Sequence, residues 1–515
     1  MLAVRSQPWL MPLCGLFCLL AQPVLAEERA PVSPASPPAP TGLPEAGSSK
    51  SAPASPPAST GFPEKSSSEW GPESTSPPRG FLETFVKAYV EEAPSGPELP
   101  RRLPPAPFNS PPFPFSEHLG PVIGTPDSTP DYYPLMRALS ATPYQEAIKE
   151  SRVRAYGWVN PSVNYSTSRN TNIPVTYPIV PNTFQLNQAV LRIERGVDTA
   201  QTAHPDWGFR FTNLYGIDYR WTMSKGVFSG QLFDRNNLYG WDPVEFWGQV
   251  YVPGVAQGMV LKVGRFISPP DIEAQLSPDN YLFTHSVMFT YDPYTFMGAI
   301  ASIRLSDQWT IDLGVHGGND MAVWSNSAQP NGHAMAKWVT QDNNDSIWFG
   351  VNSIGAGKFK NQHDDLQQIV GVYTHKFNDM IHTMTEAYYM WQRDAFKGGS
   401  CINGPSESWA SGGGCGPFIP GLSKAYGAVN YTQFQFSKKD YVTIRNDFLN
   451  DMQGQRTGFQ TVYGEHTVGW VHWFSNELLV RPEIRYDHSW SHVTPYDGGT
   501  RQDQFTASTD LIMRF

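Results

Sequence analysis

The chain is 515 residues long, with 37 Lys and Arg against 47 Asp and Glu and a formal net charge of −10. That balance, with no basic cluster along the chain, excludes a nucleic-acid binder, which needs a positive face to neutralise phosphates. Only 16% of residues are charged while 13% are aromatic, a texture unlike that of a cytosolic enzyme and suited to a sheet with one face toward lipid.

The first element is a leader. Arg5 supplies a positive start, Trp9 to Leu20 an apolar run too short to span a membrane, and Val24-Leu25-Ala26 a cleavage site. Residues 1–26 therefore read as a signal peptide. A buried N-terminal helix is the weaker alternative, because Pro12 interrupts the run. Loss of the leader removes Arg5 alone among the charges and moves the formal charge from −10 to −11. Cys14 and Cys18 leave with it, and neither ends a lipobox.

Residues 27–115 are rich in Pro, Ser, Ala and Glu, and the run from Pro34 to Ala39 recurs from Pro53 to Ala58. Such sequence buries too little apolar surface to offset chain entropy and reads as a disordered, partly polyproline extension. Within it Phe81, Phe85, Ala88 and Tyr89 stand at helical spacing, enough for a turn or two; this reads first as a transient helix in a linker, with a docking segment as the alternative. Residues 116–151 are expected to form a periplasmic segment ahead of the main domain.

From Arg152 onward no run of 18 apolar residues occurs, so spanning helices are absent from the reading. Short stretches alternate apolar and polar residues instead. The last is the clearest: Phe505, Ala507, Leu511 and Met513 share one face, Gln504, Ser508, Asp510 and Arg514 the other. Leu478 to Ser489, Ile381 to Trp391 and Trp309 to His316 repeat the pattern. A soluble sandwich also alternates; the loop rhythm decides. Tight turns at 306–308, 377–379, 437–439 and 475–477 separate hairpins joined by long loops around 220–243, 268–294, 394–423 and 451–465. Short turns on one side and long loops on the other are the asymmetry of outer-membrane barrels. The expected fold is all-β: a transmembrane antiparallel β-barrel of about 16 strands over residues 152–515, wide enough for an aqueous lumen. Pro161 and Pro482 fall inside strands, where each removes a ladder hydrogen bond.

A pore works through the field across a narrow wet passage. The candidate lumen charges are Arg192, Glu194, Arg210, Arg304, Glu386, Arg445, Asp447, Arg481, Glu483, Arg485 and Asp487; the alternative for any one of them is filler in Arg–carboxylate ladders. The loop 268–294 is the candidate constriction, with Asp271, Glu273 and Asp279 facing wall arginines and Tyr281 offering sugars an apolar contact; the alternative is a surface lid. Cys401 and Cys415 flank a Gly/Ser-rich loop and are expected to form a disulfide, worth about 3 kcal/mol in the chain-entropy model. No zinc spacing accompanies them, and no metal or cofactor is expected. Gly-x-Ser-x-Gly, His-Glu-x-x-His and Walker motifs are absent. His363-Asp364-Asp365, and His382 with Glu386, read as solvated neighbours rather than acid–base pairs.

The stretches Leu191-Arg192-Ile193-Glu194-Arg195, Asp206-Trp207-Gly208-Phe209-Arg210 and Tyr215 to Arg220 resemble the second family of outer-membrane β-barrel porins. So do Val263 to Ile267, Pro270 to Gln275, Pro278 to Tyr281 and His285-Ser286, and the likeness runs from Tyr156 to the C-terminus. It implies a pore in the bacterial outer membrane and names no solute. The resulting expectation is a porin passing small hydrophilic solutes by passive diffusion, not an enzyme. A structural or adhesive surface protein is the alternative. Expected partners are outer-membrane lipid, the solutes, a homotrimeric assembly by analogy, and peptidoglycan through the N-terminal arm.

Overall fold

The period-two stretches become strands because alternate side chains then leave the backbone on opposite faces. A computed structural model of the chain describes residues 80–90, 123–124, 133–175, 177–342, 344–399, 416–437 and 439–515. The leader, most of the Pro-rich extension, and Cys401 and Cys415 lie outside the described residues.

Among the described residues three short helices precede the sheet: α1 Phe81–Lys87, α2 Pro134–Ser140 and α3 Gln145–Ser151. Arg152, in the left-handed conformation at φ 57°, ends α3 and turns the chain into the first strand. The strands are β1 Val153–Ser166, β2 Phe184–Arg195, β3 Asp206–Gly216, β4 Gly240–Val252, β5 Met259–Ile267, β6 Thr295–Arg304, β7 Trp309–His316 and β8 Asn331–Val339. They continue as β9 Asp345–Gly355, β10 Gln367–Lys376, β11 Ile381–Arg393, β12 Leu422–Gln435, β13 Asp440–Asp451, β14 Thr461–Ser475, β15 Leu478–Ser489 and β16 Asp503–Arg514.

Every strand pairs antiparallel with its sequence neighbours, and β1 pairs with β16 to close a 16-stranded barrel. Closure leaves no unpaired edge, which is what a sheet needs in lipid. In β16, Phe505, Leu511 and Met513 are exposed on the outside, while Gln504, Thr506, Asp510 and Arg514 are buried inside. Pro161 sits at a bulge, where the β1–β2 register shifts between Asn160 and Pro161. Pro482 pairs with Thr509 of β16, and the β14 register steps over it between Glu483 and Val480.

All the tight turns lie at one rim, and the loop 268–294 leaves the other. N-terminal pieces dock at the short-turn rim. Tyr133 packs at a tilt on Tyr156 of β1 with ring centroids 5.1 Å apart, and the Arg514 guanidinium lies 5.6 Å from the Tyr133 ring. The Met136 sulfur accepts the Ala155 N–H, and Arg137 donates to the Ala88 carbonyl, binding α1 to α2. On another arc Ile123 is buried against Val197, Tyr251 and Val260, and its carbonyl accepts from Arg304 at 3.0 Å. The helical spacing around Phe81 thus marks a helix that docks through Ala88 on α2, where the sequence favours a transient helix in a linker.

The largest apolar core lies inside the barrel. Ile272, Leu276, Tyr281, Leu282, Val287, Met288 and Tyr291 of the β5–β6 loop cluster with wall residues such as Tyr388, Val429, Leu449 and Val471. Full burial of an aliphatic side chain is worth about 1.5–3 kcal/mol, so this loop is held as a core element is held.

Candidate functional site

The loop 268–294 begins and ends at a closed neck, where Ser268 N–H donates to the Tyr294 carbonyl at 2.9 Å. Between those ends it crosses the interior. A buried loop must satisfy its backbone polar groups, and here the wall charges do so. Ile272 N–H donates to Glu386 of β11 at 2.8 Å, Phe283 N–H to Glu483 of β15 at 3.0 Å, and Met288 N–H to Asp447 of β13 at 2.9 Å. In the opposite sense Arg481 donates to the carbonyls of Ser277 and Asn280 at 2.9 and 2.7 Å, and Arg485 donates to that of His285. Tyr388 donates to the Met288 carbonyl at 2.7 Å.

The loop supports itself as well. Asn280 bridges the Ala274 N–H and carbonyl at 2.8 and 2.7 Å. Ser286 caps the short helix α4, Val287–Thr290, by accepting the Phe289 N–H at 2.9 Å. Two wall glycines give the loop room. A Cβ on Gly427 would lie 3.2 Å from the Met288 side chain, and one on Gly469 would collide with Leu282.

Each residue read from the sequence has a definite place. Glu273 faces Arg445 at 3.5 Å and accepts from Ser286 N–H and Tyr431 hydroxyl at 2.9 and 2.6 Å. Asp271 faces no arginine; it stands with Asp292 and Glu386, three carboxylates whose nearest oxygens all lie within 4.8 Å. Asp279 is half-buried and joins no ion pair among the described residues. Tyr281 is buried among Tyr431, Tyr441 and His382, with its hydroxyl 3.0 Å from His382 Nε2. It therefore presents no face to a solute. Burial was the missing information, since an aromatic in a long loop reads as exposed.

The wall charges form ladders. Arg481 pairs with Asp510, Arg485 with Asp487 at 2.7 Å, and Arg445 with Glu465 at 3.0 Å. On the opposite arc Arg210 bridges Glu194 and Glu245 at 2.7 and 3.4 Å, and Arg192 reaches Glu245 at 3.0 Å. Arg304 stands at the short-turn rim, tied to Asp307 at 2.8 Å. Sequence reading missed Glu245, Glu465 and the Lys337–Asp312 pair at 2.6 Å, although their alternate positions in β4, β14, β7 and β8 carry the same signal. It also missed Arg265, fully buried against Asp242 at 2.7 Å. Alternation aligns Arg265 with the exposed Leu261 and Val263, so no periodic signal marked it. His382 and Glu386 serve different loop residues and make no acid–base pair. His363 bonds its neighbour's carbonyl, and Asp364 holds Arg456 at 2.9 Å.

The carboxylate trio is the exception among these ladders. Two unit charges held within 4.8 Å repel by at least about 3 kcal/mol at an effective dielectric constant of about 20. Neither oxygen of Asp271 or of Asp292 accepts a hydrogen bond of good geometry. Burial, then the facing Asp292 and Glu386, push the Asp271 carboxyl well above the usual range; burial also raises Asp292.

The match to a family model settles kinship. Residues 152–515 match the family described as "Putative beta-barrel porin-2, OmpL-like". The chain belongs to that family. It is an outer-membrane β-barrel of porin type, and the OmpL-like porins and their fold are non-enzymatic in general. No curated protein matches the chain by sequence. Among solved structures, the anion-selective porin from Comamonas acidovorans is similar at 10% identity and TM-score 0.45, over 70% of this chain and 99% of that one. A loop-deletion form of OmpT from Vibrio cholerae gives 9%, 0.41, 70% and 99%, and a variant of the Rh. blastica porin 12%, 0.37, 70% and 100%. These likenesses are loose and add nothing to the family match.

Proposed function

We propose that this OmpL-like barrel is a bacterial outer-membrane porin through which small hydrophilic solutes diffuse passively. The carrying observation is a closed barrel with an apolar exterior and a charged interior crossed by the β5–β6 loop. In this reading the loop is the constriction. Its charges act through the wall ladders it engages, and the short-turn rim faces the periplasm, where α1 and α2 narrow the mouth. Residues 1–26 act as the export signal, Cys401 and Cys415 form a disulfide in an external loop, and the Pro-rich arm reaches toward peptidoglycan. Assembly as a homotrimer belongs to the same reading.

One observation favours a second reading, a structural or adhesive surface protein. The inward-facing charges Arg445, Arg481, Arg485, Glu386 and Asp487 are all buried rather than water-lined. Proteoliposome swelling with sugars of graded size separates the two. A porin gives permeation that falls with solute size; a structural barrel gives none at any size.

A further inference from the structure

We propose that Asp271, Asp292 and Glu386 bind a divalent cation of the calcium class, which ties both limbs of the β5–β6 loop to strand β11. Asp271 comes from the loop's outgoing limb and Asp292 from its return, while Glu386 lies mid-strand in β11. The inference does not depend on conduction, since the site exists whether the barrel is open or shut.

Four observations carry it. One ligand oxygen from each residue lies within 4.8 Å of the other two, close enough for one ion to touch all three. All three side chains are buried, Asp271 at 3% and Asp292 at 2% exposure. Both oxygens of Asp271 and of Asp292 lack a hydrogen-bond donor, although buried carboxylates elsewhere in this interior have theirs. Beside them Gln368 of β10 is fully buried, with its amide directed at Asp292 and its oxygen held by Asn352 at 2.6 Å.

Charge balance sets the site apart. Other buried acids of this interior meet a cation or loop N–H groups: Glu273 and Glu465 meet Arg445, Asp487 meets Arg485, Asp510 meets Arg481, Asp312 meets Lys337, and Asp447 and Glu483 accept from Met288 and Phe283 N–H. No lysine or arginine among the described residues pairs with the trio. A hard cation supplies that missing charge. Calcium accepts carboxylates in flexible arrays of six to eight oxygens, whereas magnesium demands a near-ideal octahedron and keeps its water. A set of three converging carboxylates suits the larger ion. Because two ligands sit at opposite ends of the loop, binding closes a ring through the neck and fixes the loop against the wall.

The test is calorimetric titration of the full-length protein, folded in detergent and stripped with EDTA, using calcium chloride. The expected result is saturable one-to-one binding, with D292N and E386Q each at least tenfold weaker. Asp342→Asn, an exposed acid on a far turn, leaves the affinity unchanged. Magnesium binds at least tenfold more weakly than calcium. Absence of saturable heat with calcium overturns the proposal, as does affinity unchanged in both variants. Should a variant fail to fold, the wild-type melting temperature decides: it rises in calcium over EDTA if the site exists, and an equal value in both overturns it.

Discussion

At the residue scale, the interior is governed by arginines that serve two masters. Arg445 holds Glu465 with two nitrogens at 3.0 and 3.1 Å, faces Glu273, and donates to the Thr284 carbonyl. Removing one partner of a buried ion pair leaves the other charge unmatched, at about 3–5 kcal/mol. Arg445→Ala is therefore expected to lower urea stability by that order, read by tryptophan fluorescence. Arg445→Lys loses less, because an ammonium keeps the charge but not the fork. An unchanged unfolding midpoint in Arg445→Ala would refute this role. Much of this scale was legible in the sequence. Alternation assigned Arg445, Arg481, Arg485 and Asp487 inward, because lipid and interior impose opposite chemistry on adjacent residues. Their partners were not legible, since a ladder rung joins strands by register and loop path. The trio of Asp271, Asp292 and Glu386 is the extreme case, its members brought together only by the crossing loop.

At the scale of elements, the β5–β6 loop behaves as an internal plug with its own core. Its apolar residues follow no period, and so a reading by periodicity treated them as loop surface. A bulky side chain at Gly469 should expel Leu282, so Gly469→Leu is expected to speed cleavage within 268–294 by added protease several-fold. Cleavage at the wild-type rate would mean that the loop does not rest on that strand. The trio predicts a pH dependence with a definite sign. The groups facing Asp271 and Asp292 are Glu386, Gln368, Glu273 with its Arg445, and Asp320. Burial and like charge raise both aspartic carboxyls, so without cation the folded form binds more protons than the unfolded one at neutral pH. Stability then falls as pH rises from about 5 to 8. Calcium replaces the protons, so the fall should flatten when it is added. Equal slopes in EDTA and in calcium, by thermal melting at each pH, would count against the trio as a titrating cation site.

At the scale of the whole molecule, the barrel's closure, strand number and loop asymmetry were all visible beforehand. Closure follows from the constraint that backbone groups in lipid must pair within the chain; strand number and loop asymmetry follow from the alternating stretches and the turns between them. What the sequence concealed is how full the interior is. A 16-stranded cylinder has room for water, yet here the crossing loop runs from the long-loop rim down to Tyr441 and His382 beside the tight turns, while Tyr133, Met136 and Ile123 anchor N-terminal chain at the short-turn rim. If that docking narrows the passage, deleting residues 80–151 should increase conductance while leaving the folded barrel intact by circular dichroism.

The most direct test of the central claim, a closed barrel that still carries solute past its internal loop, is single-channel recording in planar bilayers. The full-length folded protein, and then the form lacking residues 80–151, are to be inserted in the same salt. The account predicts discrete, ohmic current steps from the full-length protein and larger ones from the shortened form. Correctly folded protein that yields no steps in either form would contradict it.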